Sequence, residues 1–423
     1  MTTEQFYGPA PDDTAPDATG TPAEGPARGR GSRAARRLLV AALVLLLVLV
    51  LAFFGGGGWY FAGRIHEDAL VVRHPASSYG QTVVAIGDGT VTIADPADEQ
   101  PVLDGHAAWG VRWTDSPESE GDGGDGYGQL LGEGTGDDDV TRRLRVLSGD
   151  PPDVGDVVDL DRAAFPDDPE VALGVPVRDV ELTSPAGTFP AWLADGDRQT
   201  WAVLVHGKGG DRAEMLRLMR STVRAGLPSL AITYRNDAGV APSDDGRYGY
   251  GASEWPEVRS AVRYAVGHGA RDVVLVGASM GGGIVASYAE KVGTDRVVGV
   301  VLDAPMLDLS DTVAYGASQE PLPLFGHVPP PLTWVAQRFT TARFGLDWDA
   351  VDYLDHAAFT RVPTLVLHGD DDLTVPIRTS VRVAAAHPGT VELVRFPGAG
   401  HVASWNEDPD GYDAAVIAFL DRL

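Results

Sequence analysis

From residue 176 to the end, short continuous apolar runs alternate with stretches whose apolar residues recur every three or four positions. "VRDVELTSPAGTFPAWLADG" reads as a hairpin. "TWAVLVHG", "PSLAITYRN", "RDVVLVGAS", "DRVVGVVLDAP", "VPTLVLHGDDD" and "TVELVRFPG" read as strands. Between them, "RAEMLRLMRSTVRAG", "EWPEVRSAVRYAVGHG" and "MGGGIVASYAEKV" carry helical spacing. Apolar strands alternating with helices predict a mostly parallel sheet covered on both faces. Residues 305–360 break the rhythm with a long Pro-rich, aromatic stretch, expected to be a lid over the C-terminal edge of that sheet.

Upstream the pattern changes twice. Residues 65–175 hold short β-type runs, including "QTVVAIGDGTVTIAD" with a Gly-Asp-Gly turn, and predict a small β-rich domain. Within it, "TDSPESEGDGGDGYGQLLGEGTGDDD" is acidic and glycine-rich. Asp122, Asp125, Asp137, Asp138 and Asp139 are oxygen ligands of the calcium type, but their spacing matches no EF-hand, so the stretch reads as a solvated, disordered loop. Leu38–Phe61 contains no charge and is long enough to cross a bilayer, with Trp59, Tyr60 and Phe61 as an interfacial aromatic belt. Residues 1–37 read as a disordered tail with a basic end. The arginines before the span place the N-terminus in the cytoplasm and the bulk of the chain outside. A cleaved signal, or a twin-arginine signal around Arg36-Arg37, is the alternative to an uncleaved anchor.

Composition narrows the chemistry. The chain has no cysteine, which removes disulfides, thiolate metal sites and cysteine nucleophiles. A net charge of −27 disfavours nucleic acid as a partner. Neither a phosphate loop nor a dinucleotide fingerprint is present, and the expected chemistry requires no cofactor and no metal.

Gly277-Ala278-Ser279-Met280-Gly281 fits G-x-S-x-G at a strand-to-helix turn, the placement of a serine nucleophile. A serine needs a base and a group to orient that base. His401 lies after one downstream strand and Asp370-Asp371-Asp372 after the one before it, in the order Ser, Asp, His and on the same sheet edge. Asp372 is the favoured acid, with Asp303 as the alternative, and Asp370 is read as a loop-bending residue. His387 reads as a helix-end residue, His206 as a packing residue, and His327, His356 and His368 have no catalytic context. The backbone N–H groups of Met280 and of Lys208, in "HGKGG", are the expected oxyanion donors.

With "HGKGG", "GASMGG", "HGDDDLTVP" and "GAGH" in hand, residues 176–423 resemble the α/β-hydrolase superfamily, in its branch of esterases, monoacylglycerol lipases and prolyl-oligopeptidase-like peptidases. The resemblance implies an eight-stranded, mainly parallel sheet and a Ser279–Asp372–His401 triad, and does not reach residues 1–175. The expected activity is hydrolysis of a small-molecule carboxylic ester. Peptide hydrolysis, acyl transfer and a non-catalytic membrane scaffold are the alternatives.

Overall fold

The computed structural model describes residues 30–74, 79–94, 103, 105–115, 125–136 and 139–423. The tail through residue 29 and the aspartates 122, 137 and 138 lie outside them. The chain divides into two compact units, Met1–Phe54 and Gly55–Leu423.

Helix α1 spans Arg30–Ile65 and is long and apolar enough to cross a membrane. Its residues 38–51 expose their leucines and valines. Residues 30–37, expected within the disordered tail, are helical instead. Alanine and arginine are strong helix formers, and the apolar run behind them extends the same helix.

In the second unit, six strands close a barrel in the order β1-β2-β5-β4-β3-β6: β1 (Gln81–Gly87), β2 (Thr90–Ala94), β3 (Trp109–Thr114), β4 (Gly126–Thr135), β5 (Asp139–Gly149) and β6 (Val157–Asp161). Val83, Ile93, Trp113, Leu130 and Val140 fill it. The acidic loop reading fails for Gly126–Thr135, which is a barrel strand. Two of its glycines are there for packing. A Cβ on Gly126 would collide with the Trp113 ring, and one on Gly128 would lie 2.8 Å from Leu144. Asp125 accepts the Asp115 N–H at 2.9 Å, and among the described residues no three metal-type ligands gather.

An eight-stranded sheet follows, in the order β16-β15-β12-β11-β9-β10-β8-β7. Its strands are β7 (Val177–Ser184), β8 (Gly187–Ala194), β9 (Thr200–Val205), β10 (Ser229–Ile232), β11 (Asp272–Ala278), β12 (Val297–Asp303), β15 (Thr364–Gly369) and β16 (Val391–Phe396). Only β8 runs antiparallel to its neighbours. Strands β9, β10, β11 and β15 are buried along their whole length, as the unbroken apolar runs require.

One face of this sheet packs helices α4 (Trp255–Gly267) and α5 (Met280–Lys291), within a core holding Val203, Leu275 and Ile284. The opposite core holds Leu204, Val276, Met219 and Val416, from the sheet with α3 (Leu216–Arg224) and α10 (Pro409–Leu420). Residues 305–360 contain α6 (Leu309–Gln319), the short hairpin of β13 (Pro321–Leu322) with β14 (Gly326–His327), and α7 (Pro330–Phe344). Helix α2 (Pro169–Leu173) precedes the sheet; α8 (Arg378–Ala386) follows β15 and α9 (Ser404–Glu407) follows β16.

Candidate active site

Strand β11 ends at Ala278 and α5 starts at Met280, so the whole reversal falls on Ser279. Its backbone sits at φ 49°, ψ −117°. A positive φ in a non-glycine residue costs on the order of 1–3 kcal/mol and persists only where the surroundings hold it. Here the Ser279 N–H donates to the Asp303 carbonyl at 2.9 Å, and the Ser279 carbonyl accepts from Met306 N–H at 2.9 Å. The small flanking residues are required. A Cβ on Gly277 would lie 2.6 Å from the Gly281 carbonyl oxygen, and one on Gly281 would strike the Val205 backbone.

His401 comes from the loop after β16 and Asp372 from the loop after β15. The Ser279 Oγ lies 2.8 Å from His401 Nε2, and His401 Nδ1 lies 2.7 Å from Asp372 Oδ2. A carboxylate only accepts, so the proton sits on Nδ1 and Nε2 is left to accept from the serine hydroxyl. Val402, beside the histidine, is a β-branched residue at φ 52°, a second point of backbone strain.

The Asp372 carboxyl is buried, which by itself would raise its pKa. Donors outweigh that: His368, His401 and the Val375 N–H hold it well below the usual carboxylate range. The Thr374 and Val375 N–H groups donate to Oδ1 at 2.8 Å each, and His368 Nε2 stands 3.2 Å from Oδ2. His368 has no catalytic context in the sequence; the structure places it behind the acid, its Nδ1 bonded to Ser380 Oγ at 2.8 Å. Its place on the buried strand β15, four residues before Asp372, was the available signal.

The other candidates fall away from the serine. Asp303 is fully buried, but it takes the Tyr412 hydroxyl at 2.7 Å rather than His401, and burial raises its pKa. Asp370 pairs at 2.7 Å with Arg395 on the surface. His387 follows the end of α8, its carbonyl taking the N–H groups of Thr390 and Val391. His327 is exposed, and His356 pairs with Glu290 at 3.0 Å.

The "HGKGG" loop passes against the serine. A Cβ on Gly207 would meet Ser279 Cβ at 3.2 Å, so a larger residue there would press on the Ser279 side chain. The Gly207 N–H donates to Glu214 Oε2 at 2.6 Å. His206, fully buried, stacks on Tyr234 at 4.3 Å and bonds Asp237 Oδ2 through Nε2 at 2.8 Å. Burial would lower this imidazole, yet the Asp237 carboxylate prevails and pushes it up to about 9. The Tyr234 hydroxyl donates to the carbonyls of Gly207 and His206 at 2.9 and 3.1 Å. His206 is therefore a strut for the loop, a role the packing reading anticipated only in part.

Ser279, Met280 and Lys208 line one cavity of about 280 Å³. Leu309, Val313 and Ala336 of the 305–360 segment line it too. So does Phe61, expected in an interfacial belt. The barrel meets the same region from outside: Arg162 Nη1 donates to the His401 carbonyl at 3.3 Å, and Asn406 Nδ2 donates to the carbonyls of Ala108 and Arg162 at 2.7 and 2.9 Å.

A sequence model described as the alpha/beta hydrolase family matches residues 202–415, half of the chain. The chain belongs to the alpha/beta hydrolase family. A non-heme haloperoxidase of Rhodococcus erythropolis is 28 % identical to this hydrolase-family chain over 190 residues, covering 36 % of the chain and 69 % of the relative. A non-heme chloroperoxidase, CPO-A1, of Kitasatospora aureofaciens is 28 % identical over 189 residues, with the same coverage. Among solved structures, the esterase Pf2001 of Pyrococcus furiosus aligns with a TM-score of 0.48 at 19 % identity, over 60 % of this chain and 95 % of that one. The esterase RhEst1 of a Rhodococcus species aligns at 0.42 and 20 %, over 58 % and 99 %.

Proposed function

We propose that this alpha/beta hydrolase is a serine hydrolase of carboxylic esters, anchored to the cell membrane by residues 38–61 with its N-terminus in the cytoplasm and its catalytic part outside. The observation that carries the chemistry is the unbroken relay Ser279 Oγ–His401–Asp372, at 2.8 and 2.7 Å, with the serine on a strained turn.

The steps follow from that relay. Ser279 Oγ bonds to the acyl carbon as His401 Nε2 takes its proton. The carbonyl oxygen becomes an oxyanion held by the N–H groups of Met280 and Lys208. Asp372 keeps the imidazole in the required tautomer and stabilises the imidazolium. The tetrahedral centre collapses, and the alcohol leaves with the proton from His401. Water, deprotonated by His401, then attacks the acyl-enzyme, and His401 returns that proton to Ser279 Oγ as the acid is released. The apolar side chains around the serine favour an acyl ester over a peptide.

The test is labelling of the full chain with a fluorophosphonate, beside Ser279→Ala and His401→Ala. Labelling of the parent and its loss in both variants is expected. A folded parent that takes no label would favour a non-catalytic membrane scaffold.

A further inference from the structure

Four consecutive glycines, Gly55–Gly58, lie inside α1, where each is less favourable than alanine. Two of them have an evident reason. A Cβ on Gly57 would lie 3.1 Å from Leu332, and one on Gly58 would lie 2.5 Å from Val335 and 3.0 Å from Phe339. The missing side chains let this end of the helix settle directly onto α7. Further contacts fix it there. Arg343 Nη1 donates to the Trp59 carbonyl at 2.6 Å and its guanidinium covers the Trp59 ring at 3.8 Å. His66 stacks on Phe344 at 4.1 Å. Lys208 Nζ donates to the Asp68 carbonyl at 2.5 Å, and the Tyr250 hydroxyl to that of Ala69 at 2.8 Å.

The docked segment carries Phe61, Ile65 and Ala69 at spacings of four, which share one helix face. All three line the cavity that holds Ser279. We infer that this segment, contiguous in sequence with the apolar run, is one wall of an acyl-binding pocket, and that Phe61 and Ile65 limit the length of acyl chain the enzyme accepts. The inference rests on the ester-hydrolase reading. An apolar cavity of about 150 Å³ accommodates benzene, so about 280 Å³ suits an acyl chain of roughly ten to twelve carbons. The substrate class is a medium-chain fatty acyl ester, with Arg64, Asp68 and Lys208 as the polar side chains beside this wall.

The test uses the full chain in vesicles of ether-linked phosphatidylcholine, which presents no carboxylic ester, with 4-nitrophenyl esters from acetate to palmitate as probes. Fluorophosphonate labelling counts competent sites in each preparation. The parent is expected to peak near decanoate. Phe61→Trp moves the peak to shorter chains and lowers the decanoate-to-acetate ratio of kcat/KM about tenfold, the loss expected when about two methylenes are denied burial. Phe61→Ala moves the peak toward palmitate, and Ile65→Phe repeats the shortening independently. Opposite shifts from filling and emptying one position are not the signature of a merely structural residue. Labelled variants whose chain-length profiles match the parent overturn this inference alone. A folded parent without label overturns the ester-hydrolase reading and this inference with it.

Discussion

Two histidine–aspartate pairs stand near the loop end of the sheet, one in the loops after β9 and β10 and one in the loops after β15 and β16. His206–Asp237 and His401–Asp372 have nearly the same bond lengths, 2.8 and 2.7 Å. Their surroundings differ. His206 is sealed under Tyr234, with Nδ1 facing the Gly207 carbonyl and Nε2 the carboxylate, so both ring nitrogens are committed. His401 keeps part of its surface exposed and commits only Nδ1, which leaves Nε2 for the Ser279 hydroxyl. The same pair of residue types thus makes a strut where both nitrogens are occupied and, in the function we propose, a base where one is free.

The largest effect that separates the two pairs is on turnover. Asp372→Asn favours the wrong imidazole tautomer, and kcat is expected to fall by about 10⁴ in a protein that still folds, as in other triads of this kind. Steady-state kinetics together with thermal melting check both halves. His206→Gln should do the reverse. It leaves the Asp237 carboxylate buried without its cation, at a cost of about 3 kcal/mol in denaturant unfolding, while the Ser279–His401 relay persists.

The pH dependence of stability sharpens the contrast. His206 is raised from 6.5 to about 9, so its contribution is complete below about 6.5 and is lost as pH climbs toward 9. Asp372 is depressed below its ordinary 3.8, so its contribution is complete above that value and is lost as pH falls beneath it. Melting temperature against pH should therefore slope on both sides, with His206→Gln flattening the alkaline slope and Asp372→Asn the acid one. The smallest effect belongs to Asp303→Asn. Its carboxyl touches Tyr412 and not His401, so kcat should stay within about tenfold of the parent. A loss as large as that of Asp372→Asn would make Asp303 the working acid.

What the sequence revealed and what it hid have a common physical basis. Strands β9, β11 and β15 are apolar without interruption because both their faces are covered, and that pattern is local. Ser279, Asp372 and His401 were legible because the strand-to-helix turn demands small neighbours and because their order along the chain is constrained. Strand β4 was hidden because its glycines imitate a loop, whereas Gly126 and Gly128 make room for Trp113 and Leu144. Asp237 beneath His206, and Phe61 on the cavity that Ser279 lines, are placements made through space, and no local spacing announces them. The glycines of α1 are the instructive intermediate case: a run unfavourable for a helix is visible in the sequence, and its reason appears only with α7 against it.

The central claim is that Ser279 is an activated nucleophile, and it is tested most directly by locating the bond it forms. The full chain would be reacted with a fluorophosphonate, digested and mapped by mass spectrometry. The account predicts a single adduct on the Ser279 Oγ, absent from His401→Ala. A folded protein carrying its adduct on another residue, or none at all, would contradict it.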